Sequence, residues 1–152
     1  MKKIDLAAAP KGQGTRYPAP YNEPCKNRAW LKLGDAARLT QFGVNLLTLG
    51  PGTWSSQRHW HTHDDEFVYV LEGEVVMVTD AGDETMRPGD CAGFKGGARD
   101  GHCFQNRSGA PVKLLVIGSR SEDDAGEYSD IDMKFLSDRE GGGFVKKNGE
   151  RF

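Results

Sequence analysis

Short apolar runs, each closed by a turn signal, follow one another through the middle of this chain. Phe67-Val68-Tyr69-Val70-Leu71 and Glu74-Val75-Val76-Met77-Val78 flank the dipeptide Glu72-Gly73, the pattern of two strands joined by a tight turn. The same reading predicts strands over 30–33, 42–49, 55–61, 67–71, 74–79, 85–87, 91–94, 102–106 and 112–119. Between them lie Gly50-Pro51-Gly52, Asp80-Ala81-Gly82-Asp83, Pro88-Gly89-Asp90 and Asn106-Arg107-Ser108-Gly109, residue types that favour turns for known conformational reasons. Many short strands at this rhythm predict an all-β protein, an antiparallel barrel or jelly roll. The strongest helical cue, residues 34–39, is long enough for a turn or two only.

The two ends read differently. Residues 1–29 are rich in Pro, Gly and polar groups, with Pro18, Pro20 and Pro24 bracketing Tyr17 and Tyr21. Such a stretch cannot pack alone, so it is expected to be an extended arm ordered by contact. The barrel is expected over 30–120. Residues 121–152 begin acidic and then carry two short apolar pieces, 131–136 and 141–146, as expected of a tail packed on the barrel and pairing at a sheet edge.

A chain of 152 residues fits one domain with a real core. Its 20 basic and 22 acidic residues leave no basic face for nucleic acid, and no segment approaches the apolar length of a membrane span. The start, Met1-Lys2-Lys3, is followed by Asp5 and Pro10, which interrupt any secretory apolar core. The 3 cysteines, Cys25, Cys91 and Cys103, form no short-spaced pair, against a disulfide framework. The expectation is a cytoplasmic protein with no nucleic-acid or membrane partner.

The chemistry concentrates in His59-Trp60-His61-Thr62-His63-Asp64-Asp65-Glu66. Side chains two apart on a strand share a face, so His59 and His61 point together, and Glu66 returns to the same point after a short loop. Two imidazoles and a carboxylate form a metal half-site. His102 is a fourth ligand from another strand. His63 has the same parity but lies in a polar loop where alternation fails, which makes it a rim residue. Asp65 replaces Glu66 if the loop registers differently. If Glu66 faces inward, so do Val68 and Val70. Cys103 neighbours His102 and should face away from the metal; Cys91 reads as a small buried hydrophobe.

These residues resemble the cupin superfamily over roughly residues 40–120. Its first motif is matched by Gly52, His59, His61, Glu66 and Gly73, with Gly52 one residue early; its second by Gly89, Gly97, His102 and Asn106. The second departs in two ways: Lys95 stands where Pro is usual, and the loop from Gly97 to His102 is longer. The resemblance implies a cupin jelly-roll barrel that binds a divalent ion through His59, His61, Glu66 and His102. Three imidazoles and one carboxylate leave octahedral positions open and suit Fe, Mn, Ni or Co, while Zn can take the same donors.

Similar chains are mostly described as sugar-phosphate-isomerase-like, so a non-redox enzyme acting on a small oxygen-rich metabolite is expected. A metal-dependent dioxygenase and a non-catalytic small-molecule binding protein are the alternatives, since one fold hosts many chemistries. His63 and Gln57 are the groups expected to move or orient a proton. Lys95 and Arg99 are the best candidate cations at the mouth, against a surface salt-bridge role. Trp60, Phe67, Tyr69 and Leu71 on the non-metal face, with the Tyr- and Pro-rich arm, predict a homodimer.

Overall fold

The β-formers of the middle region assemble into three antiparallel sheets in the computed structural model, which describes residues 3–152. The first two residues of the expected arm lie outside these. In chain order the strands are β1 (Lys11–Gln13), β2 (Ala29–Lys32), β3 (Phe42–Leu49), β4 (His59–His61), β5 (Glu66–Glu72), β6 (Val75–Thr79), β7 (Gly82–Met86), β8 (Cys91–Phe94), β9 (Cys103–Gln105), β10 (Val112–Ser119), β11 (Gly126–Tyr128), β12 (Lys134–Phe135) and β13 (Phe144–Val145). Helix is confined to Leu33–Ala36 and two short 3-10 turns. The chain is mostly β, as its pattern predicts.

A six-stranded sheet runs β1-β2-β3-β10-β5-β8, a four-stranded one β13-β12-β11-β4, and a three-stranded one β7-β6-β9. Isolated bridges, Trp54 with Gln105 and His59 with His102, link the four-stranded side to β9. Alternation places Val68 and Val70 of β5, Leu114 of β10 and Leu49 of β3 in the core, all at 0% exposure. They pack with Leu47, Val75, Phe104 and Val112. On the opposite face of β5, Phe67 and Leu71 are 40% and 45% exposed. Phe67 pairs with Ile117, and Tyr69 with Leu115, so one apolar outer face spans β5 and β10.

Gly73 closes the β5–β6 turn at φ +81°, and a Cβ there would lie 2.6 Å from the Pro111 carbonyl oxygen. Only glycine accepts both conditions. Asn106 anchors the turn before β10: its buried amide donates to the carbonyls of Leu49 (2.9 Å) and Ala110 (2.8 Å), and its oxygen accepts from the Ser108 amide and hydroxyl.

The strand expected over 55–61 is regular only over His59–His61. The Phe104 amide donates to the Ser55 hydroxyl (2.9 Å) instead of a backbone carbonyl, and this side-chain substitution interrupts the ladder. Two pairings had no clear signal in the sequence. β1 pairs with β2, and β11 pairs with β4 in the register Gly126–His61, Glu127–Trp60, Tyr128–His59. Gly126 permits the second, because a Cβ there would strike the Trp60 carbonyl and the Phe135 ring.

Candidate metal centre

His59 and His61 stand on one face of β4, as the period-2 rule requires. Their Nε2 atoms lie 3.1 Å apart. Glu66 opens β5, and its Oε2 is 3.7 Å from His61 Nε2 and 3.3 Å from His102 Nε2. Around one cation with bonds of about 2.1 Å, adjacent donors sit about 3.0–3.4 Å apart; the 3.1 and 3.3 Å separations fall in that range and the 3.7 Å one lies just beyond it. The donor atoms of His59, His61 and Glu66 all fall within 4.8 Å of one another. His102 joins them through Glu66. It is carried there by the bridge in which His59 and His102 exchange both backbone hydrogen bonds (3.1 and 2.8 Å), a pairing that puts both side chains on one face.

Hydrogen bonds on the far side of the rings decide which nitrogen is presented. The His59 Nδ1 is 3.0 Å from the Gln57 carbonyl, and the His61 Nδ1 is 2.6 Å from Asp124 Oδ2. Both partners are acceptors, so each Nδ1 carries its hydrogen and donates, which turns the Nε2 lone pair inward. Two lone pairs facing each other at 3.1 Å repel unless a cation or a proton lies between them. This donor set fits a divalent ion.

The electrostatics agree. Burial, helped by the charges of His61 and His102, pushes His59 down to about 3. Burial also opposes charge on His61, but the Asp124 hydrogen bond and the Glu66 carboxylate outweigh it and raise its pKa. Burial would raise Glu66, yet the His102 hydrogen bond and the surrounding histidines hold it below the usual carboxylate range. Of the two rings, His61 is therefore the one that holds a proton more readily.

His102 is 2% exposed. Its ring stacks on Phe94, with centroids 3.6 Å apart, and its Nδ1 has no partner among the described residues. Aromatic rings from both chain ends back the centre: Tyr128 lies 5.6 Å from the His59 ring, Phe135 lies 5.2 Å from His61, and Tyr17 of the N-terminal segment meets Tyr128 at 5.4 Å. On the open side, a cavity of about 270 Å³ reaches His59 and Glu66, with Tyr17, Arg28, Asn45 and Ser56 in its wall.

The other residues singled out from sequence fall elsewhere. His63 is exposed and its Nδ1 meets the Thr62 hydroxyl at 2.9 Å. Gln57 is buried, its amide donating to the Tyr21 carbonyl at 2.8 Å. Neither lines the cavity. Arg99 lies over the Trp60 ring at 5.4 Å, and Lys95 lines a separate depression beside Trp60 and His102. Asp65 bonds the Gly96 amide at 2.8 Å. Cys103 is buried and Cys91 exposed, so Cys91 is not the buried hydrophobe its neighbours implied. It stands opposite Tyr69 on the outward side of β8.

Two residues of the site had no sequence signal. Asp124 accepts from His61 Nδ1 and from the amides of His63 (2.9 Å) and Asp64 (3.0 Å). Arg28, next to β2, is the cation in the cavity wall. Gly126, two residues after Asp124, was the available hint of close strand approach.

Comparison with known proteins gives the family of the chain. The Cupin_2 family model (Cupin domain) matches residues 45–118. A sugar phosphate isomerase of the cupin superfamily from Silicibacter pomeroyi is 45% identical, with 99% of this chain and 96% of that one covered and a TM-score of 0.94. A protein of Acidithiobacillus ferrooxidans described as a candidate sugar phosphate isomerase is 28% identical over 83% of this chain and 80% of that one, with a TM-score of 0.75. A polyketide cyclase from Streptomyces resistomycificus, 24% identical over 78% and 79% with a TM-score of 0.63, shares the fold. No curated protein matches. The chain belongs to the cupin superfamily. No helix among the described residues is long and apolar enough to cross a membrane.

Proposed function

We propose that this protein is a metal-dependent enzyme that carries out non-redox isomerisation on a small oxygen-rich metabolite. The carrying observation is the pair of inward Nε2 lone pairs, 3.1 Å apart beside Glu66 at one end of the cavity. The activity named for the Silicibacter pomeroyi relative, sugar phosphate isomerase, supports the same class. His59, His61, Glu66 and His102 would hold the ion. A divalent ion there supplies Lewis acidity to a carbonyl or hydroxyl oxygen.

The chain's own groups do the rest. The Gln57 carbonyl and Asp124 keep both Nδ1 atoms protonated, so His59 and His61 would each offer a neutral Nε2 lone pair to a bound ion. Val68, Val70, Leu47 and Phe104 exclude water behind the centre, which strengthens electrostatic interactions inside the cavity. Gln57 would orient a proton only by giving up its bond to Tyr21, and His63 only by turning inward from the rim.

In this reading the sheets form the jelly-roll barrel over 30–120, the segments 1–29 and 121–152 pack against it, and the outer face of β5 and β10 joins two copies as a homodimer in the cytoplasm. The test is a panel of phosphosugars, keto acids and catechols against Mn-, Fe-, Ni- and Zn-loaded protein with an oxygen electrode. Isomerised product without O₂ uptake supports the proposal. O₂ uptake with substrate would make it a dioxygenase, and saturable binding with no turnover under any metal would make it a binding protein.

A further inference from the structure

Arg28 lies half-buried between two rings, its guanidinium carbon 5.7 Å from the Tyr17 centroid and 5.3 Å from that of Trp30. Its Nε donates to the Gly14 carbonyl (2.9 Å) and its Nη1 to the Ser55 carbonyl. Two neutral acceptors and two π faces fix the group's plane. They do not neutralise its charge. Arg58, Arg87, Arg107, Arg120 and Arg139 each sit on a carboxylate, whereas Arg28 pairs with none among the described residues.

A strut between the N-terminal segment and the Ser55 loop would need only Nε and Nη1. Among the described residues Nη2 is left over with no protein partner, and Arg28 is the only Lys or Arg of these in the wall of the cavity that reaches His59 and Glu66. Beside it in that wall, the Asn45 amide likewise has no hydrogen-bond partner among the described residues, and the Ser56 hydroxyl meets only that of Ser55, at 3.3 Å. A partly desolvated cation, an amide and a hydroxyl form a donor-rich wall suited to an anionic oxygen group.

We propose that Arg28 reads the charge of the ligand: the cavity takes a small oxyanion, a carboxylate or a phosphate ester, held at one end by Arg28 Nη2 and reaching the His59–His61–Glu66 centre with an oxygen at the other. A volume of about 270 Å³ limits the occupant to a small metabolite. The inference rests on the metal-centre reading and narrows its substrate class.

The test uses the full chain stripped of metal by chelation and titrated separately with inorganic phosphate and with acetate. Binding is followed by calorimetry and by tryptophan emission, to which Trp30 in the cavity wall contributes. The wild type should bind at least one of these anions saturably, and the better one assigns the head group. Arg28→Gln should weaken that binding at least about tenfold, the effect of one lost charge-assisted hydrogen bond. Arg28→Lys, which keeps the charge without the fork, should fall between, and Arg99→Gln should match the wild type.

Absence of saturable binding to the wild type, or an Arg28→Gln titration equal to the wild type, overturns the proposal. If Arg28→Gln does not fold by circular dichroism, Arg28→Lys decides, and wild-type affinity in that variant overturns it too. Anion binding that depends on Arg28 in a protein that takes up no metal keeps this site and removes the metal-centre reading alone.

Discussion

The central strands and the chain ends contribute to this site in opposite ways. β4 and β5 supply the groups that would touch the ion, two imidazoles and a carboxylate, in positions set by strand parity and a short loop. The segments before β2 and after β10 supply what aims those groups and faces the cavity: Asp124 behind His61, Tyr128 beside His59, and Tyr17 with Arg28 in the wall. Three of the four donors are local in sequence, within 59–66, and the fourth, His102, arrives through its bridge to His59. Their supports come from tens of residues away on both sides. A metal centre of this kind is therefore a local motif whose precision is non-local, and its two parts should fail differently when broken.

The largest effect is expected from the donors of β4. His59→Ala or His61→Ala should abolish stoichiometric metal, measured by mass spectrometry on protein from metal-replete cells. The rise in melting temperature on adding metal should vanish with it, since an ion bound only by the native state stabilises by mass action. Cys103→Ser should leave metal content unchanged. Full occupancy in His59→Ala would remove the donor assignment.

The support from the tail should matter less but visibly. Asp124→Asn keeps the shape and removes the charged acceptor behind His61, and metal affinity should fall about 10–100-fold with stoichiometry retained. Competition with a fluorescent chelator reads this directly. An affinity equal to the wild type would mean that β11 covers the site without tuning it.

The outer face of β5 offers a control, because Phe67 and Leu71 share a strand with Glu66 but point away from it. Phe67→Glu combined with Leu71→Glu should convert the proposed homodimer to a monomer by light scattering at micromolar concentration, with metal content unchanged. A wild type that is already monomeric would remove the dimer.

The smallest effect is expected from the ion pair between Asp130 and Arg58. Asp130 contacts Arg58 at 2.6 and 2.9 Å; the Arg58 hydrogen bond holds the Asp130 carboxyl below its ordinary value, against a smaller opposing effect of burial. A lowered folded-state value contributes stability that is present above the ordinary carboxylate range and is lost as pH falls through the folded value. Asp130→Asn should therefore remove part of the acid sensitivity of the melting temperature and cost at most about 1 kcal/mol near neutral pH, since the aspartate is 58% exposed. An unchanged acid limb would show that this pair does not tie the tail down.

By itself the sequence determined the β class, the strand positions around His59, and the face shared by His59 and His61, because side-chain parity and turn chemistry are local. The positions of β3, β8 and β10 follow directly from apolar runs between turn residues. Other features required the assembled sheets. Ser55 replaced a ladder partner and shortened β4; β11 found β4 through one glycine; Asp124 met His61 across 63 residues of chain. The cation of the cavity is likewise Arg28, drawn in between Tyr17 and Trp30, and not Lys95 or Arg99 of the nearer loop. Hydrogen-bond partners and counter-charges separated by long stretches of chain leave no periodicity behind, so only the tertiary structure decided them.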